Sequence, residues 1–257
     1  MFRIRFHGRG GQGMKTASRI LGSAFFAAGF EVQDAPRYGA ERRGAPIFAY
    51  VRAARETINE RGIIRRPDLV VVADDTLVPV PASGVLNGVG DNTVLLMNST
   101  EDARTWQERL NIRAPVVTLP ASADVEDRAE LPYIGAICAG AAARLVGVIS
   151  RDDLGGAIRD ELATLGREVV ERNLENAFAA WNRMQAHAGL VTEGGMTGAT
   201  DYERPDWVDL PFEAARISSP TIYAAANSVE VRTGLWRTLR PVIDIEPVSY
   251  THLTLPT

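Results

Sequence analysis

The residues with the plainest chemical potential stand near the amino terminus. Gly8-Arg9-Gly10-Gly11-Gln12-Gly13 separates a short alternating run, Phe2 to Phe6, from a segment in which Met14, Ala17, Leu21, Ala24 and Ala28 recur at helical spacing. A strand that stops in glycines and restarts as a helix leaves N–H groups unpaired at the positive end of the helix dipole, a place that takes phosphate. Gly8, Gly10 and Gly13 satisfy G-x-G-x-x-G in the strand-turn-helix setting that the pattern requires. A dinucleotide site also wants a carboxylate closing the second strand about 20 residues on. That requirement is half met, since Glu31 opens the next apolar run and Asp34 ends it. Gln12 adds an amide at the mouth of the turn. Two readings stand: the loop touches a phosphate-bearing ligand, or it is a glycine turn packed closely on a partner subunit.

A second cluster follows the second strand, Tyr38-Gly39-Ala40-Glu41-Arg42-Arg43-Gly44-Ala45-Pro46. Adjacent arginines between glycines, with Glu41 beside them, make a compact cationic loop suited to bidentate contact with phosphate or carboxylate. The plainer reading is a solvated charge pair. Lys15, the only lysine, sits just after the glycine loop and is either a phosphate contact or a solvated first-turn residue.

HGRGGQG followed by GAERRGAP and an apolar strand resembles the gamma subunit, or gamma domain, of the thiamine-diphosphate-dependent 2-oxoacid:ferredoxin oxidoreductases, the pyruvate:ferredoxin oxidoreductase group. Arg66 to Asp74 is similar to that family's strand after its arginine cluster, Asn173 to Phe178 to its late helix, and Val231 to Asp244 to the entry of the delta part in fused gamma-delta chains. The resemblance implies a chain without a complete active site. Thiamine diphosphate with Mg2+ would lie between alpha and beta subunits, electrons would leave through [4Fe-4S] clusters to ferredoxin, and coenzyme A would take the acyl group. This chain would contribute coenzyme A binding, subunit docking, or both. The binding surface implied is Gly8, Arg9, Gly10, Gly11, Gln12 and Gly13 with Glu41, Arg42, Arg43 and Gly44; no catalytic and no metal-binding residue is assigned. Pyruvate is favoured among 2-oxoacids by the Val231 to Asp244 likeness. Two other functions stay open: a self-sufficient NAD(P)-dependent oxidoreductase using the same loop, and a purely architectural assembly subunit.

These motifs need elements to hold them. The pattern predicts strands at Phe2–His7, Phe30–Ala35, Ile47–Arg52, Leu69–Ala73, Thr93–Met97 and Pro115–Leu119, with helices over 13–29, from Ser99 or Thr100 through Leu110, from the Ser150-Arg151-Asp152-Asp153 capping box, and through Val169 to about Met184. The unbroken Leu69–Ala73 run fits a sheet covered on both faces. The fold expected is α/β, a three-layer sandwich with a mostly parallel sheet and an extended C-terminal arm. Asp74 and Asp75 close a strand at the ligand-binding edge of such sheets, without a third metal ligand in view. Residues 1–187 read as the gamma-type domain and 188–247 as a linker or arm toward a ferredoxin-like delta part. In the resembling family cysteine-rich repeats would follow Asp244-Ile245-Glu246. Here stands Val248 to Thr257, which resembles a translated sequencing adapter, so a truncated gene model is expected and 248–257 is set aside.

Composition excludes several classes. One cysteine, Cys138, rules out an internal disulfide and an iron–sulfur cluster held by this chain alone, because such clusters take about four thiolates. No apolar run of about 18 residues occurs, Arg144 interrupting the best candidate, and the first residues alternate as a strand without a leader, so a cytoplasmic protein off the membrane is expected. The net charge of −4 hides an asymmetry: residues 1–66 carry 13 basic against 5 acidic side chains. A positive field of that kind suits an anionic small molecule or an acidic partner. Nucleic acid is disfavoured because aromatic residues do not interleave with the arginines. His7 and His187 lack neighbours at ligand spacing and read as structural.

Overall fold

A computed structural model describes residues 1–37, 45–120 and 133–195. The chain divides into two compact units, Met1–Thr197 and Gly198–Thr257, and all the described residues belong to the first. Glu41, Arg42, Arg43, Gly44, the arm beyond residue 195 and the terminal ten residues lie outside the described residues.

The described unit is built on a six-stranded sheet in the order β2-β3-β1-β4-β5-β6. The strands are β1 (Phe2–Arg9), β2 (Glu31–Arg37), β3 (Pro46–Ala54), β4 (Leu69–Val72), β5 (Val94–Met97) and β6 (Val116–Thr118). β1, β4, β5 and β6 run parallel, whereas β3 is antiparallel to both β1 and β2. The sheet is therefore mostly parallel, as expected, but β3 is inserted between β1 and β2. The alternation of strands and helices does not reveal this: only residues 38–45 separate the end of β2 at Arg37 from the start of β3 at Pro46, fewer than the dozen or more that a parallel crossover needs, and so short a return pairs antiparallel.

The helices are α1 (Met14–Ala27), α2 (Ala103–Leu110), α3 (Ile134–Val146), α4 (Arg151–Leu162) and α5 (Arg167–Arg183). Side chains alternate across each strand, and the even positions of β1 (Phe2, Ile4, Phe6) join Leu69, Val71, Val94 and Leu96 in one core with α1, α3, α4 and α5. Val70, Val72, Leu95, Met97 and Val116 face the other way, into a second core with Trp106 of α2 and Leu77, Val78 and Val85. β4 and β5 are thus covered on both faces, which is why they read as continuous apolar runs.

Small residues set how closely the helices lie. A Cβ on Gly140 would stand 2.2 Å from the Ala177 carbonyl oxygen of α5, and one on Gly135 would stand 2.6 Å from the Gly13 carbonyl oxygen at the head of α1. α3 fits between the sheet and α5 only because both positions lack a side chain. The capping box at α4 forms as expected: Ser150 Oγ accepts from the Asp153 N–H (3.0 Å) and Asp153 accepts from the Ser150 N–H (3.1 Å). α2 differs from expectation. Its cap is Asp102, whose carboxylate accepts from the Thr105 N–H at 2.7 Å. Ser99 is buried: its hydroxyl donates to Asp75 and accepts from Trp106 Nε1 and from the Glu101 N–H at 3.2 Å, closing a turn ahead of the helix. Beyond residue 187 the chain still packs on the domain: the Gly189 and Val191 N–H groups donate to the Arg144 and Leu145 carbonyls, and Val191 is buried.

Gly140→Ala should destabilise the fold by about 2–3 kcal/mol, because backbone must move to admit the methyl group. Gly156→Ala in α4, where nothing lies within 4 Å of the added atom, should be neutral or stabilising by up to about 1 kcal/mol. Urea unfolding of the two variants checks both.

Candidate functional site

The candidate site lies at the carboxyl edge of the parallel strands, where β1 passes into α1 and β4 into Ala73 and Asp74. Glycine is required here largely by packing. A Cβ on Gly8 would meet Met14 Cγ at 2.5 Å, and Gly13 touches Gly135 of α3. Gly11 and Gly13 also hold positive φ, 101° and 72°, which other residues resist.

Most of the turn's hydrogen-bonding capacity is used internally. The Arg9 N–H donates to Gln12 Oε1 (2.7 Å), the Gln12 N–H to the Arg9 carbonyl (3.0 Å) and the Gly10 N–H to the Ala45 carbonyl (2.9 Å). The Gly11 and Gly13 N–H groups find no acceptor among the described residues. Gly13 caps α1 in the left-handed region without a side-chain hydrogen bond.

An ion pair closes the mouth of the turn. Arg9 Nε donates to Asp74 Oδ2 at 2.7 Å, Arg9 Nη2 reaches Thr76 Oγ1 at 2.7 Å, and Gln12 Nε2 lies 3.5 Å from the same carboxylate. Burial pushes the Asp74 carboxyl up, but hydrogen bonds from Thr76 and Arg9 outweigh it and hold the group below its ordinary value. The sequence marks Asp74 as an edge residue; its role as the partner of Arg9 is visible only once β1 and β4 are seen to be neighbours. Lys15 is exposed on the first turn of α1.

The positive surplus of the amino-terminal segment is partly internal. Arg3, Arg5, His7 and Arg52 are all buried on the sheet face opposite α1. Arg3 and Arg52 share Glu60, with Arg52 also donating to Gln33 Oε1 and the Gly62 carbonyl. Arg5 donates to the carbonyls of Ile64 (3.3 Å) and Val85 (2.9 Å), its Nε unpaired and its pKa lowered by burial to about 10. His7 Nδ1 lies 3.1 Å from the Ser83 carbonyl and so carries the proton that is donated there. His7 is buried, and its Nε2 finds no hydrogen-bond partner among the described residues. The spacing of 3, 5 and 7 was the signal that these side chains share one face; what covers them, the segment from Glu60 to Val85, was not legible.

Glu41, Arg42, Arg43 and Gly44 are not among the described residues, so of the sequence-assigned set the structure brings together Gly8 through Gly13. Asp34, the acidic residue weighed for a ribose, accepts instead from Ser18 of α1 at 2.9 Å. Cys138 is buried in α3 with its thiol pushed up to about 12 by burial, which makes it unreactive. Among the described residues no three of His, Cys, Asp and Glu are grouped to hold a metal ion, and no helix is long and apolar enough to cross a membrane.

These features define an α/β domain whose glycine turn is packed from beneath by a small-residue helix and closed from above by its own ion pair. Residues 3–182 match the family described as Pyruvate ferredoxin/flavodoxin oxidoreductase, and the chain belongs to it. It is 36% identical over 189 residues to the pyruvate synthase subunit PorC of Methanothermobacter marburgensis, covering 74% of this chain and 100% of that one. It is 32% identical over 186 residues to the pyruvate/ketoisovalerate oxidoreductases common subunit gamma of Pyrococcus furiosus, covering 72% of this chain and 98% of that one. The crystal structure of pyruvate oxidoreductase subunit PORC from Thermotoga maritima superposes with a TM-score of 0.58 at 28% identity, over 70% of this chain and 95% of that one. The gamma-type likeness read from the two motifs is thereby established.

Two outcomes follow from the geometry. In a double-mutant cycle of Arg9→Met and Asp74→Asn, the coupling measured by urea unfolding should be about 1 kcal/mol at pH 7. It should vanish as pH falls through the depressed pKa of Asp74, where the carboxylate takes up its proton. His7 gives the second. Burial, then the charge of Arg5, lower its pKa from 6.5 to about 3, so between those values the unfolded chain binds a proton that the fold refuses, and stability drops with pH. Asp68, raised by burial to about 6, opposes this, since the fold takes up its proton first. Comparing His7→Asn with wild type cancels Asp68: the difference in unfolding free energy should move in the variant's favour by about 1.4 kcal/mol per pH unit below roughly pH 6. A difference independent of pH would mean that the native imidazole protonates freely.

Proposed function

We propose that this chain serves as the gamma subunit of a cytoplasmic, thiamine-diphosphate-dependent 2-oxoacid:ferredoxin oxidoreductase, pyruvate being the favoured substrate. The overall reaction is 2-oxoacid plus coenzyme A plus oxidised ferredoxin to acyl-coenzyme A, carbon dioxide and reduced ferredoxin. The observation that carries this reading is the family match across residues 3–182, with the glycine turn at the head of the matched region. Thiamine diphosphate, Mg2+ and [4Fe-4S] clusters belong, on this reading, to alpha, beta and delta partners. Cys138 is the lone thiol here and is buried, so a cluster has no thiolate set in this chain.

Within that complex the chain's own contribution is a contact for the phosphates of coenzyme A. Support comes from the Gly11 and Gly13 N–H groups at the head of α1, which find no acceptor among the described residues, and from the tether of Ala45, the described residue next to the arginine cluster, to Gly10 at 2.9 Å. Arg42 and Arg43 are the proposed cationic partners. The docking reading has its own support, since Asp74 places a carboxylate at the mouth of the turn and engages Arg9, which repels an anion and neutralises one cation. The nicotinamide alternative is weakened by topology: the dinucleotide fold sets β1 and β2 side by side, and here β3 lies between them.

The test is the Michaelis constant for coenzyme A in an assembled Arg42→Ala/Arg43→Ala complex. Loss of charge-assisted phosphate contacts should raise it by at least about tenfold, corresponding to about 1.4 kcal/mol. An unchanged constant in an intact complex leaves docking as the role of this surface. Saturable quenching of Trp fluorescence by NADH in the isolated chain would restore the nicotinamide reading.

A further inference from the structure

The sheet ends at β2, and among the described residues only β3 pairs with it. Antiparallel partners alternate between residues that exchange both backbone bonds and residues that exchange neither. The pairing of β2 with β3 runs unbroken from Glu31 opposite Ala54 to Arg37 opposite Phe48, and Pro36, which has no N–H, stands opposite Ala49. Pro36 therefore takes a non-bonded place, where a sheet tolerates proline, and Val32 and Asp34 share that orientation because they alternate with it. Their N–H and C=O groups point away from β3 and find no other partner among the described residues. The outer side of β2 is thus a row of open backbone groups, a template for a further strand.

On the α1 side of this edge lies a groove of about 540 Å3 between α1 and α4. Val32 and Asp34 line it from the strand, and Gly22, whose missing Cβ would stand 3.3 Å from Val32 Cγ1, seats α1 directly on β2. Phe26 of α1 lines it with 73% of its surface exposed. Three of its carboxylates are engaged: Asp34 by Ser18, Asp153 in the α4 capping box, and Glu161 by Arg19 and Ser23. Asp152 and Asp160 are exposed and make no hydrogen bond or ion pair among the described residues. Eight residues apart on α4, they stand about 12 Å from each other along the helix axis.

We propose that β2 and this groove bind an extended, basic segment of a partner polypeptide as an added strand. Backbone pairing with Val32 and Asp34 holds the segment, and its side chains at every second position enter the groove. Cations four residues apart on that face of a strand stand about 13 Å from each other, which matches Asp152 and Asp160. An apolar side chain between them meets Phe26. The backbone edge sets the conformation of the occupant, and the groove sets an alternation of basic, apolar and basic side chains. A second copy of β2 does not satisfy this, since it would bring two carboxylate-walled grooves together. The proposal does not depend on the coenzyme A reading.

The probe is an end-blocked peptide as long as β2, in which Thr alternates with Arg, Val and Arg, added to the full chain in about 0.15 M NaCl. Hydrogen exchange of individual amides, followed by NMR, locates the contact. At saturation the Val32 and Asp34 N–H groups should exchange at least about tenfold more slowly, while those of Gln33 and Ala35, which face β3, keep their rates. Of two versions N-methylated at alternate residues, the one blocked toward β2 should bind at least roughly tenfold more weakly, and the one blocked toward solvent should keep its affinity. Exchanging Arg for Glu in the peptide, or Asp152→Asn/Asp160→Asn in the chain, should weaken binding by at least about tenfold, and Phe26→Ser by at least about threefold. Each variant is checked for an unchanged circular dichroism spectrum. Binding that leaves Val32 and Asp34 exchanging as before, or that tolerates both N-methylated peptides equally, reduces the contact to surface charge and overturns the proposal. So does equal affinity for the Glu peptide, or the lack of saturable binding.

Discussion

The ion pair between Arg9 and Asp74 is the contact on which the carboxyl edge depends. It joins the end of β1 to the end of β4, and through Thr76 it orders the short helical turn that begins the second core. Arg9 is also the residue whose backbone is held on both sides by Gln12, so the side-chain clasp and the tight turn stabilise the same five or six residues. A glycine-rich turn has a large conformational entropy to lose. Here that loss is offset by an internal network of hydrogen bonds among Arg9, Gly10, Gln12, Ala45 and Asp74.

Burial of positive charge is the second constraint. Arg3, Arg5 and Arg52 project from adjacent strands into a space that in most α/β sheets is aliphatic. Glu60 compensates two of them, and backbone carbonyls from the segments at Ile64 and Val85 solvate the third. Carbonyl dipoles are weaker partners than a carboxylate, consistent with the lowered pKa of Arg5. The consequence for function is subtractive. A count of basic residues in the first 66 positions overstates the field a ligand meets, because these three guanidiniums hold the fold together, and Arg9 and Arg19 are engaged by Asp74 and Glu161.

Much of the architecture was legible because it rests on local rules. The Val-rich β4, the Ser150 capping box and the helical period of α1 each report a nearest-neighbour preference that tertiary contacts did not overturn. What could not be read depends on which strands become neighbours. The antiparallel insertion of β3 left no periodic trace, and it separates β2 from β1, which the dinucleotide fold sets side by side. The same ignorance of strand order hid the Arg9–Asp74 pair, 65 residues apart. Asp102 outcompeted Ser99 as a cap for a comparable reason: the Ser99 hydroxyl was already committed to Trp106 and Asp75 in the second core.

The glycine motif shows why a spacing pattern under-determines function. Three requirements produce the same residues: positive φ at Gly11 and Gly13, absence of a Cβ where Gly8 meets Met14, and absence of bulk where Gly13 meets Gly135. All three are met by packing alone, so the pattern would be demanded even if nothing ever bound there. What packing does not account for is the pair of N–H groups at Gly11 and Gly13, which find no acceptor among the described residues while those of Arg9, Gly10 and Gln12 are bonded. Those two N–H groups, at the positive end of α1, are where an external acceptor gains most. That acceptor can be a phosphate or a partner's carbonyl, and the chemistry of the turn is equally suited to either. The choice falls to the charge brought by the neighbouring segment that Gly10 ties to the turn through Ala45.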